Sequence, residues 1–393
     1  MKKTLAAVAV LGAFAGSALA ADVQLYGIVD TGLQYLHTDA DSATQGYDAT
    51  DSFSMESGMQ SGSRWGIKGT EDLGNGLTVG FILENGIKSD TGVDDDVMFN
   101  RESALFLEGG FGKVAMGRIG SINGGVSSWG KYGVISAFGT SWGDYSAQAG
   151  TWAMGGGMWD NMIAYETPNF AGFKVFAQYG MGNQIKGSDD KLYGDENESS
   201  SDRYYSIGAS YANGPLNLYL AVDSINYATW NGENDQSRGG DIDDSLTVTF
   251  GGNYDFEVVK VFAGVQYFDE IKLSKMKGAV NAVGDDEFNG AFADKMKGWS
   301  VGVSGNIPVA GGNVLIGAAY LDAEAADSVN NDRDGDELSR WIVSAGYDYP
   351  LSKRTDVYGV VTYNQDSMEY SNKSAKDQDP TVFGVMVGLR HKF

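Results

Sequence analysis

The sequence predicts an all-β fold, a 16-stranded antiparallel transmembrane β-barrel with long extracellular loops and short periplasmic turns. Three observations carry it. Apolar and polar side chains alternate with period two from end to end, tight turns alternate with long connections, and the acidic charge is confined to the long connections. The composition agrees: 393 residues hold 56 Gly but 5 Pro, with 21 Tyr, 18 Phe and 8 Trp, which suits many strands and turns. No uninterrupted apolar run reaches the roughly 18 residues of a membrane helix, whereas a barrel strand spans with about 9–11 residues of which every second one is apolar.

The first twenty residues, MKKTLAAVAVLGAFAGSALA, read as a secretory signal peptide. Lys2 and Lys3 open it, Leu5 to Phe14 form the apolar stretch, and cleavage is expected after Ala20. Residues 21–393 then form a single barrel domain. Sixteen strands are expected at about 23–36, 61–71, 77–88, 99–108, 112–119, 162–167, 173–181, 203–211, 216–227, 245–250, 259–267, 298–306, 313–321, 340–347, 355–364 and 381–393. In the last of these Phe383, Val385, Val387, Leu389, His391 and Phe393 share one face, while Gly384, Met386, Gly388, Arg390 and Lys392 share the other. Turns such as Leu73-Gly74-Asn75-Gly76 close one end. The long connections are 37–60, 89–98, 120–157, 182–202, 230–243, 269–297, 322–337 and 365–379. Sixteen strands is a size that leaves a water-filled lumen.

The formal net charge is −24, and the eight long connections carry −25. A soluble protein would spread its acid over its whole surface. So acidic a chain is a poor partner for nucleic acid, which is held by clustered Lys and Arg. The third connection, 120–157, is the exception, with Lys131 and Asp144 its only charges and Trp129, Trp142 and Trp152 its tryptophans. Such a segment is expected to fold into the lumen against the wall, the alternative being contact with a neighbouring copy. Cysteine is absent and only His37 and His391 are present, so thiol chemistry and most histidine-dependent catalysis are excluded. No catalytic residue and no cofactor is expected. The run NNDRDGDELSR at 330–340 has the alternating Asp and Gly of a calcium loop without an EF-hand's helices, and a solvated acidic loop is the simpler reading. A divalent cation bridging such acids to lipopolysaccharide is the other.

Several runs resemble the general porins of Gram-negative outer membranes: DVQLYGIVDTGLQYL at 22–36, SRWGIKGTEDLGNGLTVGFILENG at 63–86, FNRESALFLEGGFGKVAMGR at 99–118, DNMIAYETPNFAGF at 160–173 and YPLSKRTDVYG at 349–359. The resemblance implies an outer-membrane homotrimer, passive diffusion of ions and small hydrophilic solutes, a third loop that narrows the pore, and a basic wall facing that loop. Arg64 matches the family's arginine, and alternation independently turns it and Lys68 toward the lumen. Arg101 matches the "FNR" arginine, although strict alternation from Leu105 and Leu107 would turn it outward. Glu102 stands where arginine-rich relatives carry a base, and Met158 where they carry another, so a thinner basic wall is expected. Arg64, Lys68, Arg101, Glu102, Lys131 and Asp144 are the expected constriction charges. With acidic loops at the mouth, a weak cation preference follows. The terminal Phe393, with His391 and Leu389 on its face, resembles the signal read by the outer-membrane assembly machinery. A porin preferring one solute class, or a surface receptor with a closed lumen, would share the fold.

Overall fold

The computed structural model describes residues 22–40, 49–93, 97–139, 142, 149–153, 157–182, 196–199, 201–228, 243–272, 279, 295–326, 335–371 and 377–393. The signal peptide, Asp144 and residues 330–334 of the acidic run lie outside the described residues.

Seventeen strand segments occur among the described residues: β1 (Asp22–Asp39), β2 (Thr50–Ser57), β3 (Arg64–Gly74), β4 (Leu77–Gly86), β5 (Glu102–Gly109), β6 (Gly112–Gly120), β7 (Met158–Glu166), β8 (Phe173–Gly180), β9 (Arg203–Asn213), β10 (Leu216–Asn226), β11 (Leu246–Asp255), β12 (Lys260–Lys272), β13 (Lys295–Val309), β14 (Gly312–Ala325), β15 (Glu337–Pro350), β16 (Thr355–Glu369) and β17 (Thr381–Lys392). They make sixteen staves. β2 pairs with Thr31–Thr38 of β1 and β3 with Asp22–Ile28, so the two are halves of one stave interrupted at 58–63. From β3 onward each segment pairs antiparallel with the next, and β1 pairs with β17 from Ile28↔Lys392 to Asp39↔Thr381, which closes the barrel. No described helix is long and apolar enough to cross a membrane.

The expected strands are recovered in order, with two differences. Residues 50–57, expected within a loop, are strand: Phe53 and Met55 face outward opposite Tyr35 and Leu33, and the intervening serines and acids disguise the alternation. The strands β13 to β16 run 15, 14, 14 and 15 residues, beyond the roughly 9–11 that a bilayer requires. They extend the wall past the membrane into segments expected to be loop.

Outward positions are apolar and exposed, as at Leu105, Ile207, Phe250, Val303, Ile316 and Val387. Aromatics mark both ends of this band. Trp341 near the long loops and Tyr349 near the short turns both point outward on β15. Eight residues at about 3.4 Å each give roughly 27 Å of strand, or roughly 20 Å along the membrane normal at a tilt of about 40°. That approximates the apolar height of an outer membrane.

Closure is completed by the last residue. The Phe393 amide donates to the Gly27 carbonyl at 3.1 Å and the Gly27 amide donates to the Phe393 carbonyl at 3.1 Å. The Phe393 ring lies over Gly27, where a Cβ would stand 2.7 Å from its Cε1.

The described part of 120–157 lines the inner wall, and inward side chains receive its irregular backbone. Gln178 bonds the Ile122 amide (2.9 Å) and the Gly120 carbonyl (3.0 Å). Glu102 accepts from the Ser128 amide (2.9 Å) and hydroxyl (2.7 Å), Asn253 donates to the Val134 carbonyl (2.8 Å), and Ser304 accepts from the Ala137 amide (2.9 Å). The return arm is held by Arg340, which donates to the Gly150 carbonyl (2.6 Å), and by Gln266, whose amide pairs with both the N–H and the C=O of Ala153 (2.7 and 3.0 Å). Glycines on the wall make room for the aromatics. A Cβ at Gly264 would meet Trp152 at 2.9 Å, and one at Gly317 would meet Phe138 at 3.1 Å.

Two outcomes are expected. Gln266→Leu strips both partners from the buried Ala153 backbone and should lower stability by about 1–3 kcal/mol in urea unfolding. Deleting Phe393 removes the last two closing hydrogen bonds and should reduce the fraction of folded barrel, read as heat-modifiable mobility on gels, while the exported amount is unchanged.

Candidate functional site

The inward face of β1, β3 and β4 places Tyr26, Gly66 and Glu84 side by side in register, with Arg64 two residues from Gly66 on the same face. Glu84 is thereby aimed at the lumen beside Arg64, whose Nε lies 3.7 Å from Glu84 Oε2. The Tyr26 hydroxyl donates to the same oxygen at 3.0 Å.

Arg101 joins them from the other side. Its Nε donates to Glu84 Oε1 at 2.8 Å, and its amide donates to the Glu84 carbonyl at 3.2 Å. Strict alternation does not reach this residue, because β5 begins only at Glu102. Phe99 has φ +57°, and the Asn85 side chain receives its amide while Asn100 receives that of Gly86. The chain turns here rather than running straight, and the turn brings the guanidinium inward. One carboxylate thus serves two guanidinium groups.

A third arginine lies on β17. Arg390 is paired in register with Asp356 of β16, to whose carboxylate it donates at 3.0–3.2 Å, and its Nη1 donates to Ser61 Oγ at 2.8 Å. Ser61 belongs to the interruption between β2 and β3, which is pinned inside the barrel by Asp30. That carboxylate accepts from the amides of Gln60 (3.0 Å) and Ser61 (2.7 Å) and from the Tyr358 hydroxyl (2.5 Å). The Trp142 amide in turn donates to the Met59 carbonyl at 2.5 Å, which ties the third connection to the same place.

Arg64, Arg101, Arg390 and Lys260 of β12 line a space of about 600 Å³ together with residues of the inward segment, among them Val126, Ser136, Phe138 and Trp142. Four basic side chains line it, with Glu84 and Asp356 paired to them and the carboxylates of Asp30 and Asp348 also acting on Arg390. Such a space can hold hydrated ions or small polar solutes and favour anions by close-range charge.

Of the residues expected from sequence, Arg64 and Arg101 come together here. Glu102 is the register partner of Glu84, yet its carboxylate turns to Ser128 and holds the inward segment. Lys68 sits further along β3, its Nζ 5.1 Å from the Tyr26 ring centroid. Lys131 is elsewhere, its Nζ 4.8 Å from the Phe176 centroid. Burial lowers its pKa, Glu166 opposes that, and Lys174 and Lys113 add to it. Arg390 and Lys260 line the space where Lys68 and Lys131 were expected. Glu84, Arg390, Asp356 and Lys260 were not singled out from sequence. Alternation had already placed Arg390 on the inner face, and that was the available signal. Neither histidine stands in this space. His37 meets Asp51 at 2.9 Å at the exposed end of β1, and His391 meets Thr355 at 2.9 Å on the outer face.

A family model described as Gram-negative porin matches residues 6–368. An outer membrane porin protein of Bordetella pertussis is 33% identical over 424 residues, covering all of both chains. Outer membrane porin protein 32 of Delftia acidovorans is 32% identical over 412 residues, again covering all of both. Among solved structures, an anion-selective porin from Comamonas acidovorans superposes with a TM-score of 0.61 at 24% identity, over 95% of this chain and 100% of that one. A barrel closed without an edge and matched end to end by such relatives has one reading: the chain belongs to the Gram-negative porin family, the solute channels of the outer membrane.

Proposed function

We propose that the channel conducts ions and small hydrophilic solutes by passive diffusion, with charge preference divided between two places. The observation that carries this is the gathering of Arg64, Arg101, Arg390 and Lys260 against the inward segment, with Glu84 paired to the first two and Asp356, Asp30 and Asp348 close to Arg390. The other place is the mouth, the end of the barrel from which the connections carrying −25 of formal charge in the sequence depart. Exposed loop charges act over a Debye length of about 10 Å at 0.1 M salt and about 3 Å at 1 M. The basic side chains act at contact distance inside a low-dielectric wall that focuses their field, so salt weakens them less. Cations are therefore enriched at the mouth in dilute salt, and anions are favoured in the narrow space once the mouth is screened. A weak cation preference that shrinks as salt rises, the expectation from loop charge, leaves out Arg390 and Lys260. The preference named for the Comamonas porin has the sign that these four side chains support.

The family resemblance further supports a homotrimer and a C-terminal face of Leu389, His391 and Phe393 read by the assembly machinery, and the acid of the loops suits divalent cations bridging them to lipopolysaccharide. The outward exposure of those three side chains is compatible with that reading.

Planar-bilayer recordings under KCl gradients test the charge model. Conductance should appear in steps of three, with a reversal potential of cation sign near 0.1 M that moves toward anion sign near 1 M. The double variant Arg64→Gln, Arg101→Gln should move the potential toward cations at both concentrations, and Glu84→Gln should move it toward anions. Reversal potentials insensitive to both variants would remove the cluster from any part in selectivity.

A further inference from the structure

On the short-turn side of the inward segment three lysines gather that the charge model above does not use. Lys113 is the second residue of β6 and Lys174 the second of β8, so both follow short connections. Both face inward, with the buried Ala115 and Phe176 two residues on along their own strands. Lys131 comes from the inward segment. Its amide donates to the Ile122 carbonyl at 2.9 Å and its carbonyl accepts from the Val134 amide at 2.9 Å, which fixes its backbone. All three side chains are partly exposed, so their ammonium groups reach lumen water.

Two of these ammonium groups rest on aromatic rings. Lys113 Nζ lies 4.2 Å from the Phe106 centroid and 5.4 Å from that of Trp129, and Lys131 Nζ lies 4.8 Å from that of Phe176. The three rings pack in one cluster. A ring face attracts an ammonium but leaves most of its three N–H donors unused. The nearby carboxylates are engaged elsewhere or stand apart. Glu166, the register partner of Lys113, is paired with Lys174. Glu102 attracts Lys113 through space, yet its close donors both come from Ser128. Glu108, the other register partner of Lys113, is exposed. Among the described residues neither Lys113 nor Lys131 forms an ion pair or a hydrogen bond through its ammonium group.

Two ammonium groups without ionic partners match two negative charges. Lysine binds phosphate-like oxyanions as a point charge, with donors that turn to suit the oxygens. The apolar ring cluster behind them focuses their field into the lumen. The three glutamates keep the affinity low, and binding weak enough to release is what conduction requires.

We propose that Lys113 and Lys131, with Lys174 beside them, form a second anion site for one small divalent oxyanion of the sulfate or hydrogen phosphate type. The site is separate from the space lined by Arg64, Arg101 and Arg390 and lies between that space and the short-turn end. It stands without the salt-dependent preference proposed above, because no arginine takes part in it.

Sulfate is the probe. Added to KCl in planar-bilayer recordings, it should lower the single-channel chloride current in a saturable way. Lys131→Gln and Lys113→Gln should each weaken that effect about tenfold, the loss of one charge-assisted hydrogen bond. Lys68→Gln removes the same charge from the wall outside the cluster and should leave the sulfate effect unchanged. Crystals soaked in selenate should show an anomalous selenium peak within hydrogen-bond distance of Lys131 Nζ. A sulfate effect unaltered in Lys131→Gln and Lys113→Gln, or lost equally in Lys68→Gln, would overturn the site. A selenium peak found only among Arg64, Arg101 and Arg390 would overturn it as well. Should the lysine variants fail to fold, the selenate soak of the unaltered protein decides alone.

Discussion

Every peptide N–H and C=O placed at membrane depth must find a partner within the protein or in lumen water, because hydrocarbon offers none. Closure of β1 on β17, completed by the reciprocal Gly27–Phe393 bonds, satisfies that demand for the wall. The same demand shapes the inward segment, which has almost no regular structure of its own among its described residues. Its backbone is met instead by Gln178, Glu102, Asn253, Ser304, Gln266 and Arg340, spread over six strands. Irregular chain at this depth is tolerated because it is buried in protein and beside a hydrated lumen. Some of the polarity of the inner wall is therefore structural and should not be counted as selectivity.

Glu102 and Glu84 illustrate the division. They are register partners facing the same lumen, and two like charges side by side repel. Each is relieved by a different partner. Glu102 takes two donors from Ser128 and becomes a fastening, while Glu84 takes Tyr26 and two guanidinium groups and remains part of the charged wall. The interruption at 58–63 does comparable work. By leaving the sheet it brings Ser61 to Arg390 and Met59 to Trp142, so the basic wall and the inward segment share one fixed point.

Much of the fold was legible along the chain because a barrel stave is a local pattern. Period-two alternation requires only neighbouring residues, and it placed Arg64, Lys68 and Arg390 on the inner face without knowledge of the partner strands. It failed at β2, where Ser52, Ser54 and Glu56 dilute two outward apolar residues, and at Arg101, where a turn at Phe99 breaks the register. The site was less legible. Lys260 and Arg390 come from strands far apart in sequence, and nothing local distinguishes them from other inward charges.

The sequence by itself determined the barrel, its sixteen staves, the acid of its loops and the unusual character of the third one, since each follows from composition and spacing over a few residues. The tertiary structure decided which charges meet. Whether an inward side chain becomes a wall charge, a loop fastening or half of an ion pair depends on what the closed barrel sets opposite it. Electrostatic energy depends on distances of a few ångströms between strands, and alternation along one strand carries no information about those distances.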